Sequence, residues 1–299
     1  MITASIIKDS INISDPSRPR LTTMELEYPR YIHGEIMTHR MLSRNAQSSR
    51  AVPVANTLKI NEDYVKPLVW GRNKAGMSSE DTLEGIELES AKQLWDTAAQ
   101  HAFTISDRLA KVNLHKQWSN RITEPFSTIK VIISATEYDN MLWLRDDPEA
   151  AQPEIVELAR KMKAAFTSSK PEELIAGQWH LPYIAIVRSS SGDTYLDSSG
   201  DALTLDEARM ISASCCAQIS FRKLNDSKEK AIDIYKRLFS GPKPHLSPVE
   251  HVAMAHVEEY SGNSWTKGVT HIDRQGHIWS ANFRGFIQYR QLLEQELHN

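Results

Sequence analysis

The sequence predicts an α+β fold in which a single mixed domain combines short strands with long helices. Three observations indicate this fold. Apolar residues alternate in a strand-like pattern at 21–28, and the run 127–136 is rich in β-branched residues. Apolar residues recur at helical spacing over longer segments, above all within 79–115. No internal repeat or flexible linker divides the chain, so residues 1–299 are predicted to form one domain.

The N-terminal part of the chain has three distinct signals. Residues 1–20 are polar and contain prolines, which predicts a loose, irregular start before the strand at 21–28. Pro29 suits the first turn of a helix. Because an apolar stripe follows it, we predict a helix from there to about Leu42. Residues 51–78 are predicted to form a loop region.

The rest of the chain alternates helices with short strands. Acidic residues at the start of 79–115 and apolar residues at helical spacing predict one long helix within it. The run 127–136 favours a strand, although a buried helix also fits an apolar run of this kind. Further helices are predicted at 139–144, 153–166, 206–219, 227–238 and 283–297, with a short strand near 183–187, a turn at 241–248 and a hairpin at 265–279.

Composition restricts the class of partner. Hydrophobic residues make up 40% of the chain, charged residues 24%, and the formal net charge is −3. Because this charge attracts neither a nucleic-acid polymer nor an anionic membrane, any anion must be held by a local cluster. No apolar run reaches the roughly 18–20 residues of a membrane span. The N-terminal residues lack the long apolar core of a signal peptide, so a cytoplasmic protein is expected.

The two cysteines, Cys215 and Cys216, are adjacent in the sequence. Neighbouring cysteines rarely pair with each other and chelate metals poorly, so reduced and buried thiols are expected. Neither lies in a context typical of an activated nucleophile. The common phosphate-loop, dinucleotide-binding, zinc-protease and nucleophile-elbow motifs do not occur in the sequence. The histidines are scattered, and no metal site is expected.

The segment 39–50, HRMLSRNAQSSR, is the densest group of polar side chains. On the predicted helix, His39 and Ser43 would share one edge. In extended backbone, Ser48 and Arg50 would lie on one side. Arginine forks beside hydroxyl groups suit a phosphate or the carbonyl edge of a pyrimidine. A polar helix end that frays into a loop is the simpler alternative.

The segment also resembles the signature R-H-R-x-x-S-x-N-x-x-S-x-R of the flavin-dependent thymidylate synthases. Other stretches resemble further elements of that family: HLSPVEH at 245–251, RITEP at 121–125, NMLWLR at 140–145, AQPEI at 151–155 and CAQISF at 216–221. In the usual family chain, the elements similar to the first and last of these precede the signature, whereas here they follow it. The simplest explanation is a circular permutation, which is tolerated where the new joins fall in surface loops.

The resemblance implies a fold with a central, largely antiparallel sheet flanked by long helices, in permuted order. Residues 21–168 would supply the later part of the usual fold, and residues 209–256 the earlier part. Residues 169–208 would be a connection and residues 257–299 a C-terminal extension. The family also assembles its sites from several chains, so a homo-oligomer, specifically a homotetramer, is implied.

The activity implied by the resemblance is an FAD-dependent thymidylate synthase. Such an enzyme transfers a one-carbon unit from methylenetetrahydrofolate to C5 of dUMP, with NADPH as the reductant of the flavin. It needs no covalent cysteine, in agreement with the interpretation of the two thiols. The substrate-binding residues by position are Ser48, Ser49, Arg50, Arg121 and Arg145, of which Ser48, Arg50 and Arg145 are the expected catalytic residues. The cofactor-binding residues by position are His39, Arg40, Ser43, Asn45, Asn140, His245, Ser247 and Glu250.

Three positions depart from the family pattern. Thr38 stands where the signature begins with arginine, and Ala46 stands where an acid is expected. Glu35 replaces an expected glutamine, and its carboxylate would repel a nucleotide unless it is protonated or turned away. Two alternatives therefore remain open. One is a related flavin enzyme that modifies C5 of another pyrimidine deoxynucleotide, for example by hydroxymethylation. The other is a nucleotide-binding protein that has lost turnover.

Simpler roles also remain open for single residues. Arg145 could pair with Glu137 or Asp139 on its own turn. The segment 282–290 could supply a cation that compensates Glu35, but an amphipathic surface helix is the favoured explanation of its pattern.

Overall fold

The structure is a computed structural model that describes residues 2–54, 63–76, 81–190, 192–220, 227–239, 241, 243–257 and 266–297. Within these residues the protein is a mixed α/β structure with eight α-helices. They are α1 (His33–Ile36), α2 (Gly85–Lys111), α3 (Lys116–Ser119), α4 (Asp139–Arg145), α5 (Pro153–Ser168), α6 (Leu205–Ala217), α7 (Lys228–Phe239) and α8 (Tyr289–Leu297). Short 3-10 segments occur at Arg30–Ile32, Asn120–Phe126, Gln218–Ser220 and Ser247–His251.

The same residues contain fourteen strands in four sheets. The strands are β1 (Thr3–Asn12), β2 (Arg20–Pro29), β3 (Ser43–Ala46), β4 (Thr128–Ala135), β5 (Glu172–Leu174), β6 (Trp179–His180), β7 (Ala185–Ser189), β8 (Gly192–Leu196), β9 (Ala202–Leu203), β10 (Ala253–Ala255), β11 (His271–Ile272), β12 (Ile278–Ser280), β13 (Phe283–Arg284) and β14 (Phe286–Gln288). Three sheets have three strands each, in the orders β14-β10-β6, β11-β12-β13 and β7-β8-β9. The expected single central sheet is therefore accompanied by three smaller ones.

The largest sheet has five strands in the order β3-β4-β2-β1-β5. Its pairings are antiparallel except for the parallel pair β1–β5. Most residues of the inner strands β2 and β4 are buried, which explains why their sequences are rich in apolar and β-branched residues. Helix α5 packs on β1 and β2 through Ile155, Leu158 and Met162. The predicted strands at 21–28 and 127–136 and the helix at 153–166 are confirmed.

The prediction of an irregular start at residues 1–20 is wrong, because β1 forms a ten-residue strand there. Its polar residues are satisfied across the sheet. Arg20 Nη2 lies 2.6 Å from Asp9 Oδ2, and the Thr22 hydroxyl donates to Asp9 Oδ1 at 2.9 Å. Because these side chains replace apolar ones on a half-buried strand, the alternation of hydrophobic residues is weak in the sequence.

The helix predicted from Pro29 to about Leu42 is wrong beyond α1, which has only four residues. Side-chain donors bind the backbone carbonyl oxygens that would accept backbone hydrogen bonds in a longer helix. The Thr38 hydroxyl donates to the backbone oxygen of Glu35 at 2.7 Å. Arg44 Nη1 donates to two carbonyl oxygens of the next turn, at 3.0 and 2.9 Å. These bonds end the helix and turn the chain into β3.

The terminal helix predicted at 283–297 is wrong in its first half, where β13 and β14 precede α8. The two strands are separated by Gly285, whose φ is +67°. A Cβ at this position would lie 2.3 Å from Pro19 Cγ, so the bend requires glycine.

The remaining predictions are largely confirmed. Helices occupy most of the predicted ranges 79–115, 139–144, 206–219 and 227–238, and β11 and β12 form the core of the predicted hairpin. The connection 169–208 holds five strands rather than one. Residues 63–76 form neither a helix nor a strand, as predicted for 51–78, while 55–62, 77–80 and residue 265 lie outside the described residues. No helix in the described ranges combines the length and apolar character needed to span a membrane.

A buried chain of hydrogen bonds connects the five-stranded sheet to the rest of the fold. The hydroxyl of Ser10 lies 2.9 Å from His180 Nδ1, and His180 Nε2 lies 2.8 Å from the hydroxyl of Thr23. That hydroxyl is 2.6 Å from Ser134 Oγ, which is 2.9 Å from His251 Nδ1. Both histidines are fully buried. This series of hydrogen bonds holds β6 and the turn Ser247–His251 against the sheet.

This network predicts acid sensitivity. Burial lowers the pKa of His251 to about 3, and burial lowers the pKa of His180 well below its usual range. Since an unfolded histidine titrates near pH 6.5, the unfolded chain binds more protons below that pH. The free energy of unfolding is therefore greatest above about pH 6.5 and falls as the pH approaches 3, by about 1.4 kcal/mol per pH unit for each proton.

Urea unfolding between pH 7 and 4 measures this slope. The variant His251→Asn keeps a polar group towards Ser134 and should flatten the slope by about one proton. His101→Asn, on the exposed side of α2, serves as the control. Equal slopes for His251→Asn and the unmodified protein would show that His251 does not titrate in this way.

Candidate active site

Arg145 is the centre of the candidate site. It is the last residue of α4, and it connects that helix to the turn after α1. Its Nη1 lies 2.8 Å from Glu35 Oε2, its Nε donates to His39 Nε2 at 3.0 Å, and its Nη2 donates to the hydroxyl of Thr38 at 3.4 Å. One guanidinium thus holds three side chains that precede β3. The simpler alternatives, in which Arg145 pairs with an acid on its own turn, do not occur.

His39 is held as a neutral imidazole. Its Nε2 accepts a hydrogen bond from Arg145, so the proton of the neutral ring lies on Nδ1. Burial, followed by the positive charges of Arg145 and Arg44, lowers the pKa of His39. At neutral pH the ring therefore offers one N–H donor and carries no charge. Because α1 ends early, His39 and Ser43 do not share the edge of one helix.

The carboxylate of Glu35 is compensated by Arg145 and not by the C-terminal segment. The arginines of that segment have other partners. Arg284 Nε donates to Glu137 Oε1 at 2.9 Å, and Arg290 forms an ion pair with Glu250. The possibility that residues 282–290 compensate Glu35 does not hold, because Glu137 and Glu250 already bind both arginines.

The loop after β3 is fixed by the residue before Arg121. Asn120 Nδ2 donates to the backbone oxygens of Ser49 and Val52, both at 2.8 Å. Within the loop, the backbone N–H of Arg50 donates to the hydroxyl of Ser48 at 3.3 Å. Asn120 therefore brings the end of the segment 39–50 beside the RITEP stretch.

The arginines around the segment 39–50 differ in their availability. Arg40 and Arg50 are exposed, and neither side chain forms an ion pair with any residue in the described ranges. Arg121 is also exposed, but its Nη1 lies 3.1 Å from Glu124 Oε1. Arg40 and Arg50 can therefore bind an anion without breaking an existing pair, whereas Arg121 would first lose Glu124.

Two residues of the C-terminal segment complete the site and were not predicted from the sequence. Gln288 Nε2 donates to Ser43 Oγ at 3.2 Å and to the backbone oxygen of Glu250 at 3.3 Å. Asn282 Nδ2 donates to Ser43 Oγ at 3.1 Å and to the backbone oxygen of Met41 at 2.9 Å. These amides join β3 to the turn Ser247–His251. The only indication of them in the sequence is Gln288, a single polar residue that follows the apolar pair Phe286 and Ile287 in β14.

Removal of the Gln288 amide should loosen this connection. Gln288→Ala leaves Ser43 and the carbonyl of Glu250 with fewer partners in a buried place, so we expect a loss of about 1–3 kcal/mol in the free energy of unfolding. Urea unfolding measures it. Gln291→Ala, at the start of the next helix, removes an amide whose only hydrogen bond among the described residues is with Glu294, at 3.4 Å, and should change stability little. Equal stabilities of the two variants would contradict the role given to Gln288.

Several predicted site residues are not joined to this centre. The side chains of Asn140, His245 and Ser247 are exposed and make no hydrogen bond with the described part of the chain. Asn45 is half-buried in β3, where its backbone pairs with Ile132. The side chains of Ser43 and Glu250 are already engaged by Gln288 and Arg290.

The cysteines lie in the core. Both thiols are buried and neither forms a disulfide. Burial, and then the neighbouring Cys215, raise the pKa of the Cys216 thiol well above its usual range. A nucleophilic thiolate is therefore disfavoured there at neutral pH. Over the described ranges, no group of three or more His, Cys, Asp or Glu side chains could hold a metal ion.

Comparison with known proteins gives limited similarity. No protein-family model and no curated protein matches the sequence. Two similar solved structures are crystal structures of a UMP/dUMP methylase, PolB from Streptomyces cacaoi. The structure with 5-Br UMP has 16% sequence identity and a TM-score of 0.44, covering 56% of this chain and 89% of that chain. The structure with 5-Br dUMP has 14% identity and a TM-score of 0.42, covering 56% and 90%.

Proposed function

We propose that this chain is a flavin-dependent enzyme that methylates C5 of dUMP, with methylenetetrahydrofolate as the one-carbon donor and NADPH as the reductant. The observation that carries the proposal is the meeting of distant motif segments in one place. The turns Gln218–Ser220 and Ser247–His251 both pack on β3 and β4. Arg145 binds Glu35, which lies shortly before β3 in the chain. A circular permutation explains why these segments meet although their order in the chain is unusual.

The nucleotide is proposed to lie between the loop after β3 and the arginines beside it. The exposed fork of Arg50 suits the phosphate, with Ser48, Ser49 and Arg121 around it. Arg145 would contact the pyrimidine ring. As C5 attacks the one-carbon unit, negative charge develops on the ring carbonyl, and a guanidinium at that place stabilises it.

The residues around His39 fit a flavin cofactor with two exceptions. Arg40 offers an exposed cation for the pyrophosphate, and His39 offers a neutral N–H donor. Three other cofactor-binding residues expected from the motifs have exposed side chains: Asn140, His245 and Ser247. They can form hydrogen bonds with a cofactor without losing existing ones. Ser43 and Glu250 are already bonded, so we assign them to positioning rather than to direct contact. FAD would supply the hydride chemistry, and the protein would orient the pyrimidine.

A homo-oligomer is part of the proposal. Large apolar side chains are exposed on and beside α2, including Ile86, Leu94 and Trp118, and Trp143 is exposed on α4. Contiguous exposed apolar surface is typical of surfaces that bind other chains. The faces of α2 and α4 are therefore the expected contacts between copies, and their position beside the site agrees with sites that are shared between chains.

The proposal is tested by the absorbance spectrum of the purified protein and by its products. We expect a flavin band, which NADPH bleaches under anaerobic conditions, and a product from dUMP whose mass corresponds to a methyl group. A hydroxymethyl mass, or a product from dCMP instead, would replace the proposal with the related C5-modifying enzyme. A protein that takes up no FAD contradicts both.

A nucleotide-binding protein without turnover is the second candidate. It is favoured by the ion pair between Arg145 and Glu35, because a bound nucleotide must compete with that carboxylate for the guanidinium. This candidate predicts dUMP binding without oxidation of reduced flavin. Rapid bleaching of bound FAD by NADPH would exclude it.

Replacement of Glu35 tests this competition. Glu35→Gln removes a negative charge and frees Arg145, so we expect dUMP to bind about fivefold more tightly, which is roughly 1 kcal/mol. Isothermal titration calorimetry measures the change. Glu149→Gln, at an exposed position after α4, removes the same charge farther along the chain and is the control. Unchanged or weaker dUMP binding by Glu35→Gln would show that Glu35 does not oppose the nucleotide.

A further inference from the structure

A separate cavity of about 470 Å³ lies at the start of α5. Its walls are mostly apolar and include Pro67, Val69, Pro125 and Pro153. The volume falls within the roughly 300–1,000 Å³ of small-molecule sites. None of the residues that we assign to the flavin or the nucleotide lines it, so the cavity is distinct from the candidate active site.

The cavity contains one buried carboxyl group. Glu154 is only 2% exposed, yet it lines the cavity. Its Oε1 accepts a hydrogen bond from the backbone N–H of Leu68 at 2.8 Å. Glu154 forms no ion pair with any residue that the structure describes. Because a buried carboxylate without a cation is costly, it favours a positively charged ligand in the adjoining space.

Aromatic side chains line the same cavity. The indole N–H of Trp95 donates to the backbone oxygen of Val65 at 2.9 Å, and the Trp95 ring packs edge-on against Phe126 with centroids 5.3 Å apart. These contacts fix the indole in place. The hydroxyl of Tyr31 is buried. It lies beside Glu154: burial, and then the nearby Glu154 carboxyl, raise the pKa of the Tyr31 phenol. A fixed aromatic wall beside a carboxylate attracts a cation both through its π face and through charge.

We propose that this cavity binds a small organic cation with an apolar body, of the amidine or ammonium class. The cationic group would lie against Glu154, and the apolar body would lie between Trp95 and the prolines. The hydrogen bond from Leu68 and the packing of Trp95 hold this arrangement before a ligand arrives, which reduces the cost of binding. The proposal does not depend on the activity proposed for the chain.

Benzamidine is a suitable probe because it combines a planar amidinium group with an apolar ring. Isothermal titration calorimetry on the full chain should show saturable binding at one site. Benzamide has nearly the same shape without the charge and should bind at least about tenfold more weakly. Glu154→Gln keeps an oxygen for the N–H of Leu68 and should weaken benzamidine binding by a similar factor. Glu157→Gln, at a half-buried position of the same helix that does not line the cavity, should leave benzamidine binding unaltered.

A steric variant makes the location of the site testable. Ala150 is exposed and lines the cavity, so Ala150→Leu should block benzamidine without altering Glu154. Circular dichroism confirms that each variant is folded. The proposal is overturned by any of three results: no saturable binding of benzamidine, equal affinity for benzamide, or unchanged benzamidine affinity of folded Glu154→Gln. Flavin and dUMP binding are measured separately, so failure here leaves the proposed activity untouched.

Discussion

The variant Arg145→Ala is expected to lower the rate of thymidylate formation by about 10²–10³-fold, the usual cost of removing one donor that stabilises developing negative charge. Steady-state turnover with saturating FAD measures this loss. Arg160→Ala is the matched control, since it also removes a guanidinium, but one that pairs with Asp146 on the exposed face of α5. Turnover within a few-fold of normal for Arg145→Ala would contradict the central place given to Arg145.

Loss of Arg145 also leaves Glu35 and His39 without their partner, so part of the effect could come from a disturbed turn. The double variant Glu35→Gln/Arg145→Ala separates these contributions. If Arg145 acts on the pyrimidine, removing the Glu35 charge as well should not restore turnover. If Arg145 only neutralises Glu35, the double variant should regain most of it, because no uncompensated carboxylate remains.

The variant Arg50→Ala should weaken dUMP binding by about 10–100-fold while FAD remains bound. A charge-assisted hydrogen bond contributes about 1.5–3 kcal/mol, and the exposed guanidinium loses no partner when it binds the phosphate. Calorimetry with dUMP and the flavin absorbance measure the two affinities. Arg108→Ala, on the exposed side of α2, removes the same charge away from the site.

Parallel loss of FAD and dUMP binding in Arg50→Ala would place this residue at the flavin instead. Ser48→Ala tests the same loop by a smaller change, since it removes the oxygen that receives the N–H of Arg50. We expect it to weaken dUMP binding in the same direction as Arg50→Ala. Normal nucleotide affinity in both variants would show that the loop has been assigned wrongly.

The elements that the sequence predicted correctly are those whose apolar residues follow one regular spacing. β2, β4 and α5 are of this kind, because their burial depends on apolar side chains at period two or 3.6. β1 was missed since ion pairs and hydroxyl bonds replace apolar contacts there. The helix after Pro29 was predicted too long because a local pattern does not reveal the side chains, such as Arg44, that take over the carbonyl groups.

For the candidate site, the motifs suggested a set of residues but not how their side chains are paired. His39 and Arg145 were both expected near the flavin and nucleotide, and the structure joins them by a hydrogen bond. The pair between Glu35 and Arg145 depends on where α4 packs, which no local pattern records. The amides of Asn282 and Gln288 reach β3 through a tertiary contact between strands that are far apart in the chain.

The most direct measurement is the release of tritium from dUMP labelled at C5. Replacement of that hydrogen by a methyl group must release it, whichever residue removes the proton. The purified protein with FAD, NADPH and methylenetetrahydrofolate should release tritium in step with thymidylate formation, and omission of NADPH or of the folate should stop both. Stable retention of tritium by a protein that binds both FAD and dUMP would contradict the proposal of a C5-methylating enzyme.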